Sequence, residues 1–165
     1  MYEDVFRLFN RNKIKYVVIG GMAVNLQGAM RSTADLDIAA ELTNSNLDKI
    51  FKTCVKLGYT LRQPIELNDV SDPIKRRKLI RNKHLKAVTF HKQGDYKEID
   101  VLIDLIIPFK KLYSNADMCK VGNLKIRLAC INDLIRMKSA TGRPLDKIDT
   151  RILKQVKGIR KKRAR

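Results

Sequence analysis

Residues 19–41 read IGGMAVNLQGAMRSTADLDIAAE, and this stretch decides the fold. A run of β-forming residues, Tyr16 to Ile19, leads into the pair Gly20-Gly21. Such a glycine pair predicts a tight turn from a strand into a helix, where backbone N–H groups can approach an anion closely. The stretch therefore predicts a phosphate-binding turn inside a short α/β unit.

Two acidic residues, Asp35 and Asp37, lie near the end of the same stretch. If residues 36–40 form a strand, alternation places both carboxylates on one face, about 7 Å apart. Two such charges repel each other unless a cation lies between them, and Mg²⁺ binds carboxylate oxygens together with phosphate. The pattern predicts a metal and a phosphate side by side.

This pattern resembles the signature of the polymerase-β-like nucleotidyltransferase superfamily, which joins a hydrophobic-Gly-Gly turn to a later Asp-x-Asp. It is also similar to the bacterial small, toxin-type (AbiEii-like) branch. The residues that match that branch are Gly20, Gly21, Ala23, Gly28, Arg31, Thr33, Asp35 and Asp37. The resemblance implies an α/β fold with a mixed β-sheet flanked by helices and two C-terminal helices. It also implies Mg²⁺-dependent transfer of a nucleoside monophosphate from an NTP to an acceptor.

A third carboxylate on a later strand is implied by the same resemblance. Asp100, within the β-forming run Glu98 to Leu102, matches that position, and Asp104 on the same strand face is the alternative. Asp35, Asp37 and Asp100 would then be catalytic residues and metal ligands. An ordinary solvent-facing strand would also account for the acidic residues of that run.

The segment Asp133 to Asp149 resembles the Leu-Ile-x-x-Lys…Gly-Arg-x-x-Asp-x-x-Asp ending of small members of the superfamily. The likeness implies that Lys138 is catalytic. It implies nucleotide binding by a set of residues comprising Gly20, Gly21, Arg31, Thr33, Arg143 and Asp146. Two other roles stay open for Asp146 and Asp149, which either favour a helix dipole or hold Lys138 and Arg143 in place.

Positive charge is concentrated in two segments. Lysine and arginine number 35 against 17 aspartates and glutamates, a formal charge of +18. Lys75 to Lys86 carries seven basic residues and Arg151 to Arg165 carries eight, with no acidic residue in either. Such concentration is typical of proteins that bind a polyanion, and it predicts an RNA acceptor such as a tRNA end. Solvated helix faces are the alternative interpretation.

Two further functions stay open besides RNA modification. Antibiotic nucleotidyltransferases have a similar Gly-Gly…Arg…Asp-x-Asp core, so a small-molecule acceptor is the first. A catalytically idle nucleic-acid-binding module is the second. The toxin-type resemblance also implies a cognate antitoxin as a partner. No segment is apolar enough to predict a membrane span.

The length of 165 residues predicts one domain, with a catalytic core over about 13–128, a helical segment over about 131–160 and a basic tail at 161–165. Three cysteines without metal-ligand spacing predict reduced thiols in a cytoplasmic protein.

Hydrophobic spacing predicts helices over 2–11, after Gly21, from a Ser45/Asp48 cap to Gly58, over 73–82, 132–140 and 144–158. Strands are predicted at 15–19, 36–40, 87–91, 97–105, 118–121 and 124–128. The last helix should bury one stripe, Leu145, Ile148, Ile152, Val156 and Ile159.

Overall fold

The computed structural model describes residues 2–163, so the last two residues of the predicted basic tail lie outside the described part. The helices are α1 (Glu3–Arg11), α2 (Gly20–Leu26), α3 (Asn44–Lys56), α4 (Leu67–Ser71), α5 (Pro73–Lys83), α6 (Phe109–Asn115), α7 (Ile131–Thr141) and α8 (Pro144–Arg163). The strands are β1 (Tyr16–Val18), β2 (Leu36–Ala40), β3 (Thr60–Leu61), β4 (Ala87–His91), β5 (Glu98–Leu102), β6 (Asp117–Val121) and β7 (Leu124–Leu128).

One mixed sheet of seven strands runs in the order β3-β4-β5-β2-β1-β7-β6. β2 is parallel to β5 and β1 is parallel to β7, whereas the other neighbours are antiparallel. Helices flank this sheet, and two of them close the chain. The predicted α/β fold class is confirmed.

The centre of the sheet separates a core face from an open face. Alternation along β5 buries Ile99 and Val101, while Asp100 between them is only half-buried. In the parallel pairing of β2 with β5, Asp37 lies opposite Asp100. The sheet therefore places two carboxylates side by side on strands that are neighbours in space but distant in sequence.

Three short elements were not predicted: β3, α4 and α6. They have two, five and seven residues, so they contain too few turns or alternations to give a periodic signal. The start of α3 was also wrong. Its N-cap is Thr43, whose Oγ1 accepts a hydrogen bond from the Asn46 backbone N–H at 3.3 Å, rather than the Ser45/Asp48 pair. Helix α5 is capped by Asp72, whose carboxylate accepts hydrogen bonds from the backbone N–H groups of Ile74 and Lys75.

Helix α8 is longer than predicted, and only part of the predicted stripe, Ile152 and Val156, packs against the core. It continues to Arg163, so the described part of the predicted basic tail is helical. Leu145, Ile148 and Ile159 of the predicted stripe are exposed, whereas Asp149 and Leu153 are buried. The buried face is displaced from the predicted stripe because the acidic residues of α8 have cationic partners inside the protein, described below.

Two further features concern the state of the cysteines and the composition of the helices. Cys54, Cys119 and Cys130 are all free thiols, and burial raises the pKa of the Cys54 thiol to about 12. Among residues 2–163, no helix has the length and the apolar composition that crossing a bilayer requires.

Candidate active site

Gly20 allows the backbone of the turn to lie directly against the Asp37 carboxylate. Its φ of +63° is in the left-handed region, and a Cβ on Gly20 would lie 1.9 Å from Asp37 Oδ2. The backbone N–H of Gly21 donates to the Asp37 carboxylate, and the Ile19 N–H donates to the Asp37 carbonyl at 2.9 Å. Residue 20 therefore has to be glycine for both backbone and packing reasons.

Asp100 is fixed by a hydroxyl on the next strand. Thr89 Oγ1 donates to Asp100 Oδ1 at 2.6 Å, and these two residues face each other in the pairing of β4 with β5. Gln63 holds Thr89 in turn, because its Oε1 accepts from the Thr89 backbone N–H at 2.9 Å. One Asp100 oxygen is thereby held by the protein.

The two carboxylates sit in a site with an excess of negative charge. Burial and the nearby Asp100 carboxylate raise the pKa of Asp37 to about 6, although the Lys138 ammonium opposes this shift. Burial also raises the pKa of Asp100, against the hydrogen bond from Thr89. Partly buried like charges of this kind are stabilised when a cation binds between them.

Asp35, the third predicted carboxylate, lies on the loop that leads into β2. It precedes β2 rather than lying within it, and its side chain is exposed. Among residues 2–163, no group of three histidine, cysteine, aspartate or glutamate side chains is placed to hold one metal ion. Asp35 is nevertheless near the other two carboxylates, because its negative charge contributes to raising the pKa of both Asp37 and Asp100. Asp104 is exposed in the segment after β5.

A cleft of about 560 Å³ opens over the carboxylate pair. Six of the predicted site residues line it: Gly20, Asp37, Asp100, Lys138, Arg143 and Asp146. Its other walls include an apolar group, Leu102, Ile106, Leu134 and Met137, and two charged residues, Lys86 and Asp104. The cleft thus combines acidic, basic and apolar surface.

Four of the predicted site residues, Gly21, Arg31, Thr33 and Asp35, are outside the lining of this cleft. Gly21 packs closely against Thr33, since a Cβ on Gly21 would lie 2.6 Å from Thr33 Oγ1. Arg31, predicted to bind phosphate, instead donates from Nη1 to Asp149 Oδ2 at 2.7 Å. These residues shape the loop that leads to β2.

Lys138 is a partly buried cation between two carboxylates of α8. Its Nζ lies 2.7 Å from Asp146 Oδ1 and 2.9 Å from Asp149 Oδ2, and its side chain is 13% exposed. Thr141 Oγ1 also donates to Asp146 at 2.6 Å. Although burial opposes it, the hydrogen bonds from Lys138 and Thr141 lower the pKa of Asp146. Of the two open roles for Asp146 and Asp149, holding Lys138 agrees with these contacts.

Asp149 joins the C-terminal helices to the loop before the carboxylates. Its side chain is 1% exposed, and the same oxygen, Oδ2, contacts both Arg31 and Lys138. Arg31 and Lys138 form a buried network with Asp146 and Asp149, and the exposed Arg143 adds a weaker ion pair to Asp146 at 4.0 Å. This network explains why α8 turns its acidic residues inward.

Solved structures with a similar fold share one class of activity. The lincosamide antibiotic adenylyltransferase LnuA, lincomycin-bound, matches 94% of this chain and 98% of its own at 14% identity, with a TM-score of 0.63. ANT(2'')-Ia in complex with adenylyl-2''-tobramycin matches 96% of this chain and 88% of its own at 10% identity, with a TM-score of 0.62. The chain has the nucleotidyltransferase fold. The solution structure of the antibiotic-resistance factor ANT(2'')-Ia agrees, with a TM-score of 0.59 at 8% identity over 98% of this chain and 90% of its own.

The comparison of sequences adds nothing to this, since no family model and no curated protein matches the chain. At such low identity the likeness concerns the nucleotidyltransferase fold, and the chemistry has to be argued from the residues of this chain.

Three residues around the cleft were missed or not singled out from the sequence. Thr89 orients Asp100, Thr141 supports Asp146, and Lys86 adds a cation to the cleft wall. A pairing of β4 with β5 would have placed Thr89 opposite Asp100, but the register of a hairpin is set by its turn and cannot be read from alternation alone. Lys86 belongs to the basic segment noted in the sequence, but nothing in that segment indicates that it lines the cleft, and Thr141 carries no sequence signal of its own.

We expect Gly20→Ala to impair both folding and nucleotidyl transfer. An alanine in the left-handed backbone conformation lowers the free energy of unfolding by about 1–2 kcal/mol. Its methyl group would also displace the Asp37 carboxylate. Gly122→Ala is the matched control, because Gly122 has a φ of +56° with no atom within 4 Å of an added Cβ. The two variants are compared by thermal unfolding. An equal loss of stability in both would show that the contact with Asp37 contributes nothing.

Proposed function

We propose that this protein is a metal-dependent nucleotidyltransferase, which moves a nucleoside monophosphate from an NTP to a hydroxyl group of an acceptor. The observation that carries the proposal is the pair Asp37 and Asp100, side by side on parallel strands at the floor of an open cleft. Gly20 supports the proposal, since its lack of a side chain lets Asp37 approach the turn.

The residues present fit a divalent cation. Carboxylates are hard oxygen ligands, and Mg²⁺ is usually held by one or two of them together with substrate phosphates. Asp37 and Asp100 supply such a pair, and burial together with the Asp100 charge raises the pKa of Asp37, which a bound cation would oppose. When bound there, the cation would neutralise negative charge on the triphosphate.

The remaining chemistry is assigned to the residues of the chain. The acceptor oxygen forms a bond to the α-phosphorus, while the bond from that phosphorus to the pyrophosphate oxygen breaks. Asp100, whose pKa is raised by burial, accepts the proton of the acceptor hydroxyl. Arg143 lines the same cleft with an exposed side chain, where it would bind the negatively charged triphosphate and the departing pyrophosphate, while Lys138 adds positive charge to the cleft from its pairs with Asp146 and Asp149.

A small molecule is the acceptor that the comparisons favour. The similar solved structures are antibiotic-modifying proteins, one bound to lincomycin and one to adenylyl-2''-tobramycin. The cleft has the volume of a typical small-molecule site, with apolar side chains Leu102, Ile106 and Met137 beside its charged residues. We therefore place an antibiotic-type hydroxyl compound first among acceptors.

RNA is the second candidate, and the distribution of charge favours it. Lys86 and Arg143 bring positive charge to the wall of the cleft. The two acidic residues of α8 nearest that wall, Asp146 and Asp149, are buried in contacts with Lys138 and Arg31, so they do not offset the exposed lysines of α8. A tRNA end as that RNA and a cognate antitoxin as a partner are implied by the sequence resemblance alone.

The test is transfer of label from each of the four α-³²P-labelled NTPs in the presence of Mg²⁺. Acceptors are a panel of lincosamides and aminoglycosides in one set of reactions and total tRNA in the other. Asp37→Asn protein is the control. Transfer to either set that disappears in the control supports the proposal and identifies the acceptor. Folded protein that binds NTP but transfers nothing to either set would contradict it.

If RNA is the acceptor, we expect its binding to depend on the exposed cations of α5. The test is a triple variant, Lys78→Gln with Arg81→Gln and Lys83→Gln. The slope of log RNA affinity against log salt concentration should become shallower by up to about 2, which is about 0.7 for each lost phosphate contact. These three side chains are exposed and have no carboxylate partner within residues 2–163. NTP binding should not change. A small-molecule acceptor predicts no effect on transfer.

A further inference from the structure

A second groove lies at the opposite end of β1 from the carboxylate pair. It has a volume of about 370 Å³ and is formed by the segment between α1 and β1, by the β6–β7 hairpin and by α6. β1 begins beside this groove at Tyr16 and leads toward the Gly20 turn at its other end. The groove is therefore a separate surface, and neither basic segment noted in the sequence contributes to it.

Three cations line this groove without any acidic residue. Lys13, Lys125 and Arg127 are in the lining, which contains no aspartate or glutamate. None of the three forms an ion pair with a carboxylate within the described part of the chain. Cations concentrated in a concave surface attract anions more strongly than isolated surface charges do.

Aromatic and amide groups accompany these cations. The Arg127 guanidinium lies over the ring of Tyr113, with its carbon 4.2 Å from the ring centroid. Arg127 is also anchored through Nη1, which donates to the Tyr113 carbonyl oxygen at 3.4 Å. Asn10 donates to the Lys125 carbonyl oxygen at 2.8 Å, which fixes one wall. A guanidinium plane held in this way is a surface on which a nucleic-acid base can stack.

We propose that this groove binds single-stranded RNA. Lys13 and Lys125 contact the phosphodiester backbone, and a base stacks on the Arg127–Tyr113 pair. The chemistry fits because every base has a π-face and every linkage has a negative charge, so a stacking plane between cations binds RNA with little regard to sequence. This binding does not depend on nucleotidyl transfer, and it would be present in an inactive protein.

The test uses fluorescein-labelled oligouridylate, with affinity measured by fluorescence anisotropy in the absence of NTP. Lys13→Asn with Lys125→Gln removes two charges, and asparagine suits residue 13 because its φ is +51°. We expect the salt dependence of log affinity to fall by about 1.4, which is about 0.7 for each lost phosphate contact. Arg127→Lys keeps the charge but loses the guanidinium plane, so affinity should fall about tenfold with the salt dependence unchanged.

The matched control is Lys49→Gln with Lys56→Gln, which removes two exposed lysines of α3 and so changes the net charge by the same amount. It should leave affinity within about twofold. Equal losses in control and groove variants would show that only net charge matters, and would overturn the proposal. UTP and inorganic phosphate serve as competitors, and competition by either at the affinity of the oligomer would also overturn it.

A second measurement uses the parent protein, so its result does not depend on whether the variants fold. Oligouridylate with 4-thiouridine is cross-linked by light, and the modified peptides are identified by mass spectrometry. Cross-links within residues 113–127 support the proposal. Cross-links confined to α5 or α8 would contradict it. Since no transfer is measured, the result stands apart from the outcome for the proposed function.

Discussion

Asp37→Asn is expected to abolish nucleotidyl transfer and, in metal-free protein, to make the fold more stable. The substitution keeps the shape of the side chain but removes the negative charge that would bind the metal. Transfer should fall at least about a thousandfold, since removal of a single group that stabilises charge in the transition state already costs about a hundredfold to a thousandfold. Turnover is measured with labelled NTP, and unfolding with EDTA present.

The stability gain should depend on pH in a defined direction. Folding raises the pKa of Asp37 from 3.8 to about 6, so the charged carboxylate opposes folding. The penalty is complete above pH 6, at most about 3 kcal/mol, and it disappears as the pH falls toward 4. The variant should therefore be more stable than the parent at pH 7.5 and equally stable near pH 4.

Mg²⁺ gives the complementary result. It should raise the unfolding temperature of the parent protein and leave that of the Asp37→Asn variant nearly unchanged, because binding to the folded state alone stabilises it. Asp104→Asn, an exposed acidic residue at the edge of the same cleft, is the matched control and should behave like the parent. Equal stabilisation of all three proteins by Mg²⁺ would remove Asp37 from the metal site.

The sequence predicted the local parts of this site better than their assembly. The turn at Gly20 and the strand with Asp37 follow from glycine conformation and from alternation, which act over a few residues. The choice between Asp100 and Asp104 depended on strand register, which alternation alone leaves open. The parallel pairing of β2 with β5 puts Asp100 beside Asp37, while Asp104 lies beyond the strand.

The displaced buried face of α8 has a different cause. Periodicity assumes that apolar side chains turn inward, and by that rule Leu145 and Ile148 belong to the core. The observed helix instead buries Asp146 and Asp149, because Lys138 and Arg31 lie where they can pair with them. Contacts between residues more than a hundred positions apart, such as Arg31 with Asp149, leave no trace in local pattern. The contact of Arg31 with Asp149 could not be foreseen from the sequence for the same reason.

The second large effect is expected at Asp149. Asp149→Ala removes the oxygen that contacts both Arg31 and Lys138, and its side chain is 1% exposed. Breaking a buried ion pair from one side typically costs about 3–5 kcal/mol, because a charge is left in a poorly solvated place. For a domain of this size the unfolding temperature should fall by about 10 °C or more. Thermal and urea unfolding measure the change.

The matched control is Asp48→Ala, which breaks an exposed pair with Lys52 in α3. Surface pairs contribute at most about 1 kcal/mol, so this control should change little. Arg31→Met combined with Asp149→Ala should be less damaging than the sum of the two single changes, because Lys138 keeps Asp146 as a partner and no arginine is stranded. If the two single effects simply add, Arg31 and Asp149 are not coupled, and the network does not connect the α7–α8 pair to the loop that precedes Asp37.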